Sequence, residues 1–182
     1  LQLTADLSAN GHCINMSGKD DVTIDCNGKK IKGNNSANYY GIFSLVANGA
    51  NNTIIKNCAN ISYFTYGIYM RYSENVTIQN SSVFLNNVST SAYGIYLRDT
   101  RLSNVTYVNA SGNYYGLYLY YSSNNTLTNI NASSNSQRGF YLSSSSNNNL
   151  TNITANSNGD GLYLGSSSNN NLTNITANSN QY

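Results

Sequence analysis

Apolar side chains come along this chain in short bursts that alternate with polar ones, and the bursts recur. In Gly161-Leu162-Tyr163-Leu164 the leucines flank a tyrosine. That period of two places the leucines on one face of a strand and the tyrosine on the other. A second burst, NLTNIT at residues 171–176, is in register with the same six residues at 149–154. Serine and asparagine clusters separate the bursts and read as turns. No segment carries a sustained apolar stripe at the helical period of 3.6 residues.

The repetition is verbatim in places. SSSNNNLTNITANSN at residues 144–158 returns unchanged at 166–180, an offset of 22. The phrase ahead of each polar block also recurs: GIFSL from Gly41, GIYMR from Gly67, GIYLR from Gly94, GLYLY from Gly116, GFYLS from Gly139 and GLYLG from Gly161. These spacings of 26, 27, 22, 23 and 22 residues fall short of the roughly 33–47 residues of helical repeats. Two or three short strands per turn, with each turn stacked on the last, fit that length. The pattern predicts an all-β parallel solenoid of about seven coils of ~22–27 residues. It forms one domain over residues 1–182, with N-terminal coils in 1–40 and six repeats from the glycines just named.

Stacked coils lie about 4.8 Å apart, so identical side chains in register form ladders. Asn57, Asn80, Asn129, Asn152 and Asn174 each follow an aliphatic of the second strand by two residues. They read as an internal ladder at a bend, because asparagine both donates and accepts and tolerates left-handed backbone. Serines fill the other bend. Phe43, Tyr69, Tyr96, Tyr118, Tyr141 and Tyr163 hold the second place after each repeat glycine. Alternation points them outward as an exposed aromatic ladder. Such a ladder either stabilises the sheet by stacking or offers a contact or sugar-binding face.

The pattern G-[IL]-Y-[LM], then S-x-N-N, then [LI]-x-N, resembles the repeats of NosD-type and carbohydrate-binding or sugar-hydrolase-type proteins, which are right-handed parallel β-helices. The opening LTADLSANGHCINM, followed by VTIDCNGKKIKG, resembles the first coils of archaeal and bacterial secreted members. The resemblance covers nearly the whole chain. It implies right-handed winding and an extracellular or cell-surface setting. It implies no single activity, since the fold hosts lyases, hydrolases, adhesins and structural proteins.

Composition mainly excludes. Only 9% of residues are charged, the net charge is +2 and no basic run occurs, so neither nucleic acid nor a membrane surface is an expected partner. No apolar stretch approaches about 18 residues, so no membrane insertion is expected. A glycosidase needs two carboxyl groups roughly 5–9.5 Å apart. Glu74, Asp99 and Asp160 take different places relative to their repeat glycines and show no convergence. The expectation is therefore no catalytic residue and no enzyme. The NosD resemblance suggests copper, but one histidine (His12), two methionines and three cysteines make a poor donor set, so no metal or other cofactor is expected. Arg71 and Arg98 repeat one place in successive coils, near Glu74 and Asp99, and read as solvated edge residues.

Three further expectations concern covalent chemistry and assembly. Cys13 and Cys26 are the expected disulfide pair, leaving Cys58 as a buried thiol. Among many N-x-[ST] sequons, Asn34, Asn60 and Asn87 fall in longer loops and are the glycosylation candidates. The final coil has no capping element, which favours head-to-tail self-association. The leading reading is a structural extracellular protein, a subunit of a surface filament, sheath, surface layer or adhesin. The alternative is a carbohydrate-binding or polysaccharide-processing β-helix module with glycans as partners.

Overall fold

The computed structural model describes residues 1–84, 86 and 92–182, and every regular element among them is a strand. The first coils carry β1 (Leu7–Ser8), β2 (Ile14–Asn15), β3 (Thr23–Asp25), β4 (Lys30–Lys32), β5 (Tyr40–Ser44), β6 (Ile54–Lys56) and β7 (Asn60–Ser62). Then come β8 (Tyr66–Arg71), β9 (Thr77–Ser82), β10 (Tyr93–Arg98), β11 (Asn104–Asn109) and β12 (Tyr115–Tyr120). The last are β13 (Thr126–Asn131), β14 (Arg138–Ser143), β15 (Asn149–Thr154), β16 (Asp160–Gly165) and β17 (Asn171–Thr176).

All pairings are parallel, and each strand pairs with its counterpart one coil away. One seven-stranded sheet has the order β16-β14-β12-β10-β8-β5-β2 and will be called the aromatic sheet. A second has the order β17-β15-β13-β11-β9-β6-β3 and will be called the threonine sheet. A three-stranded sheet, β1-β4-β7, closes the first coils. The chain is thus a parallel β-solenoid of about seven turns, as its periodicity predicts.

The core is a set of aliphatic files along the solenoid axis. Ile42, Ile68, Ile95, Leu117, Phe140 and Leu162 stack along the aromatic sheet. Ile24, Ile55, Ile78, Val105, Leu127, Leu150 and Leu172 stack along the threonine sheet. The threonine sheet departs from strict alternation. Leu150 and Ile153 both point in, three residues apart, because Asn152 between them has φ +55°. Asn57, Asn80, Asn129 and Asn174 sit at the same left-handed kink. Their side chains therefore face outward, and the expected internal ladder is an external one: Asn174 Nδ2 donates to Asn152 Oδ1 at 2.7 Å, and Asn152 Nδ2 to Asn129 Oδ1 at 2.9 Å.

The internal polar ladders lie at the bends and use other residues. Buried Asn125 and Asn148, with Asn170 beyond them, form one; Asn86, Asn113, Asn135 and Asn158, with Asn180 beyond, form another. Each side-chain oxygen accepts the backbone N–H one coil earlier, as from Asn125 to Asn148 at 2.9 Å and from Asn135 to Asn158 at 2.8 Å. The amides of Asn86, Asn113, Asn125, Asn148 and Asn170 also donate to a carbonyl inside the bend, such as Asn148 Nδ2 to Ser122 O at 3.0 Å. Serines fill the remaining bend as expected: Ser145 Oγ accepts from Ser122 N at 3.0 Å. At a bend the backbone loses its ladder partners, so these side chains satisfy groups that would otherwise be buried unpaired.

The repeat glycines now have a reason. None of them needs positive φ. A Cβ on Gly116 would stand 2.6 Å from Gly139 O and 2.8 Å from Asn135 Nδ2. The missing side chain makes room for the buried asparagine. Gly116→Ala should therefore lower stability by about 1–3 kcal/mol through overpacking. Gly165→Ala should cost much less, because the nearest atom to its Cβ is the edge of the Tyr163 ring at 3.1 Å. Urea melts showing equal losses for the two variants would remove this explanation.

The cysteine expectation is corrected. Cys26 and Cys58 form the disulfide, with Cα atoms 4.7 Å apart, and Cys13 is the free thiol. Thirteen residues is only half a coil. Cys13 precedes β2 and pairs its N–H with Tyr40 O, whereas Cys26 follows β3 and pairs with Lys56 O. Cys13 and Cys26 lie at different bends, while Cys26 and Cys58 are stacked neighbours. Asn60 is also corrected as a glycosylation candidate: it is buried in β7, and its Oδ1 accepts from Phe84 N at 3.4 Å. Asn34 is exposed, and Asn87 lies outside the described residues.

Candidate functional site

The aromatic ladder points outward but is largely covered. Alternation breaks at the repeat glycine, so Tyr93 and Tyr96, three residues apart, share the outer face. Tyr40, Tyr66, Tyr93 and Tyr115 thus form a second file beside Phe43, Tyr69, Tyr96, Tyr118 and Tyr141. Rings stack along each file, 4.8 Å between Tyr69 and Tyr96 and 4.7 Å between Tyr96 and Tyr118. They also meet across the files, 5.0 Å between Tyr93 and Tyr96. Phe43, Tyr69 and Tyr96 end up at 4%, 6% and 9% exposure, so the expectation of an exposed ladder is corrected. The physical reason is mutual stacking: ring faces that would receive a ligand are occupied by neighbouring rings. At the far end Arg138 takes the tyrosine place, lies over Tyr141 and Tyr163 at 4.3 and 4.0 Å, and binds Asp160 at 2.7 Å. Only Tyr163 is well exposed.

A different surface offers free functional groups. The bends that lead from the aromatic to the threonine sheet are in register over five coils, because five residues separate Arg71 from Thr77, Arg98 from Asn104, Tyr120 from Thr126, Ser143 from Asn149 and Gly165 from Asn171. In the last two coils the bend reads Ser-Ser-Ser-Asn-Asn, at residues 144–148 and 166–170. The chain thus displays the residues the bend itself prefers. Departures at outward positions need another cause.

Those departures cluster. The first bend place, left-handed in every coil, holds Ser144 and Ser166 in the late coils but Tyr72, Asp99 and Tyr121 in the earlier ones. The third place holds Ser146 and Ser168 late, but Glu74 and Arg101 early. All five of these departing residues, with Asp20, line one open groove of about 830 Å³. Arg101 Nη2 meets Glu74 Oε2 at 2.9 Å, and Arg98 Nε lies 3.4 Å from Asp99 Oδ2. Asp20 Oδ1 accepts from Asn51 N at 2.7 Å. The Glu74–Arg101 pair is well exposed on both sides, and such pairs contribute only about 0–1 kcal/mol to stability. Tyr72 and Tyr121 are exposed aromatics in a backbone region that disfavours bulky residues. Stability therefore does not account for the choice. Chemically, the groove presents carboxyl groups that can accept from hydroxyls. Beside them stand a guanidinium that can bind an anion and phenol rings that present an apolar face and a polar tip.

Arg71 and Arg98 end β8 and β10 half-buried rather than solvated as expected, because Arg71 lies over the Tyr72 ring at 4.4 Å and Arg98 over Tyr120 at 5.5 Å. The sequence reading missed that Asp20, Glu74 and Asp99 line one groove. The signal was available in the contrast between the early bends and the verbatim Ser-Ser-Ser-Asn-Asn of the late ones.

Fold and groove together define a parallel β-helix protein with a polar groove along its flank. The chain matches the NosD family, described as periplasmic copper-binding protein (NosD), over residues 3–182, and it belongs to that family. No curated relative matches it. Among solved structures it is similar to a point mutant of the periplasmic alginate epimerase AlgG, with TM-score 0.61, 16% identity, and 87% of this chain and 46% of that one covered. It is also similar to the A-module of the mannuronan C-5 epimerase AlgE4 of Azotobacter vinelandii, with TM-score 0.60, 16% identity, and 96% and 55% covered. The chain spans about half the length of these structures, and the likeness is one of fold. The expectation that the chain is not an enzyme is corrected on this finding, since both of these neighbours are enzymes. The family and these neighbours point to an exported protein. No helix among the described residues is long and apolar enough to cross a membrane.

The described residues do not fit the copper of the family's description. His12 accepts the Tyr40 N–H on Nδ1 at 3.3 Å and lies against the Tyr40 and Phe43 rings. Met16 and Met70 are buried in the core, and Cys26 and Cys58 are consumed by their disulfide. Burial pushes the Cys13 thiol up, away from the thiolate that binds metal. No three of the described His, Cys, Asp or Glu side chains gather as a ligand set.

Proposed function

We propose that this exported β-helix is a polysaccharide-processing module whose glycan site is the groove of Tyr72, Glu74, Asp99, Arg101 and Tyr121. The carrying observation is that the outward departures from the protein's own repeat at these bend places line that one groove. Acid, guanidinium and phenol are the groups that hold and turn over sugar hydroxyls and carboxylates. The epimerases of the same fold act, by their names, on mannuronan and alginate, which supports this reading over the structural one. The aromatic ladder, closed by its own stacking, offers little free face for the lateral contacts of a filament.

The test restores the repeat. Calorimetric titration with mannuronan and glucomannan should detect binding by the native chain. Tyr121→Ser with Arg101→Ser should weaken it at least about tenfold, near 1.4 kcal/mol, with no loss of melting temperature. Proton NMR of the incubated polymer should show conversion that Glu74→Gln abolishes. Absence of binding, or binding indifferent to the double variant, would overturn the assignment.

A further inference from the structure

Tyr107 is a strand residue that neither the fold nor the groove explains. It stands in the file otherwise held by Asn57, Asn80, Asn129, Asn152 and Asn174, and it shares their left-handed backbone, with φ +53°. Asparagine is at home there, whereas a tyrosine is strained. The ring is 64% exposed, so burial does not compensate. It also stacks on no other described ring and lies under no described cation, unlike the tyrosines of the aromatic sheet.

The tyrosine breaks the outer asparagine ladder. Asn129 accepts from Asn152 at 2.9 Å, yet its own amide finds no acceptor one coil back. Asn80, on the other side of the break, makes no side-chain hydrogen bond to any described residue. These free groups face a cavity. Tyr107, Asn57, Asn80, Ser82 and Asn109 line an open depression of about 380 Å³, and none of its lining residues is charged. It shares no residue with the groove. Arg101 precedes β11 and Tyr107 lies near its end, so the two sites flank the threonine sheet.

An open phenol ring presents an apolar face to the C–H side of a sugar ring. Side-chain amides beside it both donate and accept, as sugar hydroxyls do. An anionic sugar would lose water there with no cation to pair with.

We infer that this cavity is a second glycan site, which takes an uncharged sugar unit stacked on Tyr107 and hydrogen-bonded to Asn80. It does not depend on the assignment of the groove. Covering one ring face, on the order of 50 Å², corresponds to roughly an eightfold gain in affinity.

The experiment uses the full chain carrying Arg101→Ser and Tyr121→Ser, which disables the groove. The probes are short oligosaccharides of glucomannan, which is neutral, and of mannuronan, which is acidic. In an NMR titration, glucomannan oligosaccharides should shift the Tyr107 ring and Asn80 side-chain amide signals, and mannuronan oligosaccharides should shift them far less. Adding Tyr107→Asn should weaken glucomannan binding about eightfold. It should also raise the melting temperature, because the strain is relieved and the asparagine ladder is closed. Tyr107→Phe keeps the ring face and should keep the affinity. Unmoved Tyr107 signals, a stronger response to mannuronan, or affinity indifferent to Tyr107→Asn overturns the second site and leaves the groove reading standing. The groove is judged separately, by the loss that Arg101→Ser with Tyr121→Ser causes in a chain already carrying Tyr107→Asn.

Discussion

Asn148→Leu is expected to lower the unfolding free energy by about 2–6 kcal/mol, at roughly 1–3 kcal/mol for each of two backbone groups left buried and unpaired. The groups are the N–H of Asn125, now 2.9 Å from Asn148 Oδ1, and the carbonyl of Ser122, now 3.0 Å from Asn148 Nδ2. Leucine is near enough in volume to fill the site but offers neither partner. The fair comparison is Asn152→Leu. Asn152 belongs to the same coil, but it is exposed and its neighbours keep water. The cost there comes from placing leucine at φ +55°, about 1–2 kcal/mol. Chemical denaturation of the two variants separates them. A larger loss for Asn152→Leu would put the supporting ladder back on the outside of the solenoid.

The contrast between Asn148 and Asn152 shows where the sequence was legible. Periodicity locates coils, strands and the faces of Leu117 and Leu119, because side-chain direction in an unbroken strand follows from counting. It also identifies asparagine as the ladder residue. It does not identify which asparagine, because one left-handed residue shifts the count. Asn152 interrupts its strand, so a residue that alternation sends inward is turned out. In the aromatic sheet alternation breaks at Gly94 without a left-handed residue, and two tyrosine files share one face. The site was hidden for another reason. Its residues lie at outward bend positions, where the core exerts no pattern. Glu74 comes from one coil, Asp99 and Arg101 from the next and Tyr121 from the one after, and stacking brings them to one groove. The disulfide failed similarly: its partners are a whole coil apart, and coil lengths in the irregular N-terminal region cannot be read from a glycine phrase that begins at Gly41.

Raising the pH should unfold the protein cooperatively, through the aromatic sheet. Burial pushes the hydroxyls of Tyr66, Tyr69, Tyr93, Tyr96 and Tyr115 above the ordinary tyrosine value, and Tyr118 is pushed up to about 12. Stacked neighbours add to this at Tyr93 and Tyr96, since ionising one ring places a like charge beside the next. A phenol in the unfolded chain ionises near pH 10. Folded-state values are the higher ones, so the folded chain holds its protons more tightly. The stabilisation is fully present below about pH 10 and is lost as pH rises from there through the folded values. Absorbance at 295 nm and far-ultraviolet circular dichroism should therefore change together above about pH 10. Tyr93→Phe with Tyr96→Phe keeps the stacked rings and removes two ionising groups from the middle of the array. That variant should unfold at a higher pH than the native chain. Full ionisation of the tyrosines near pH 10 with the β signal intact would show that the rings are open to solvent. In that case the aromatic face would regain its standing as a contact surface.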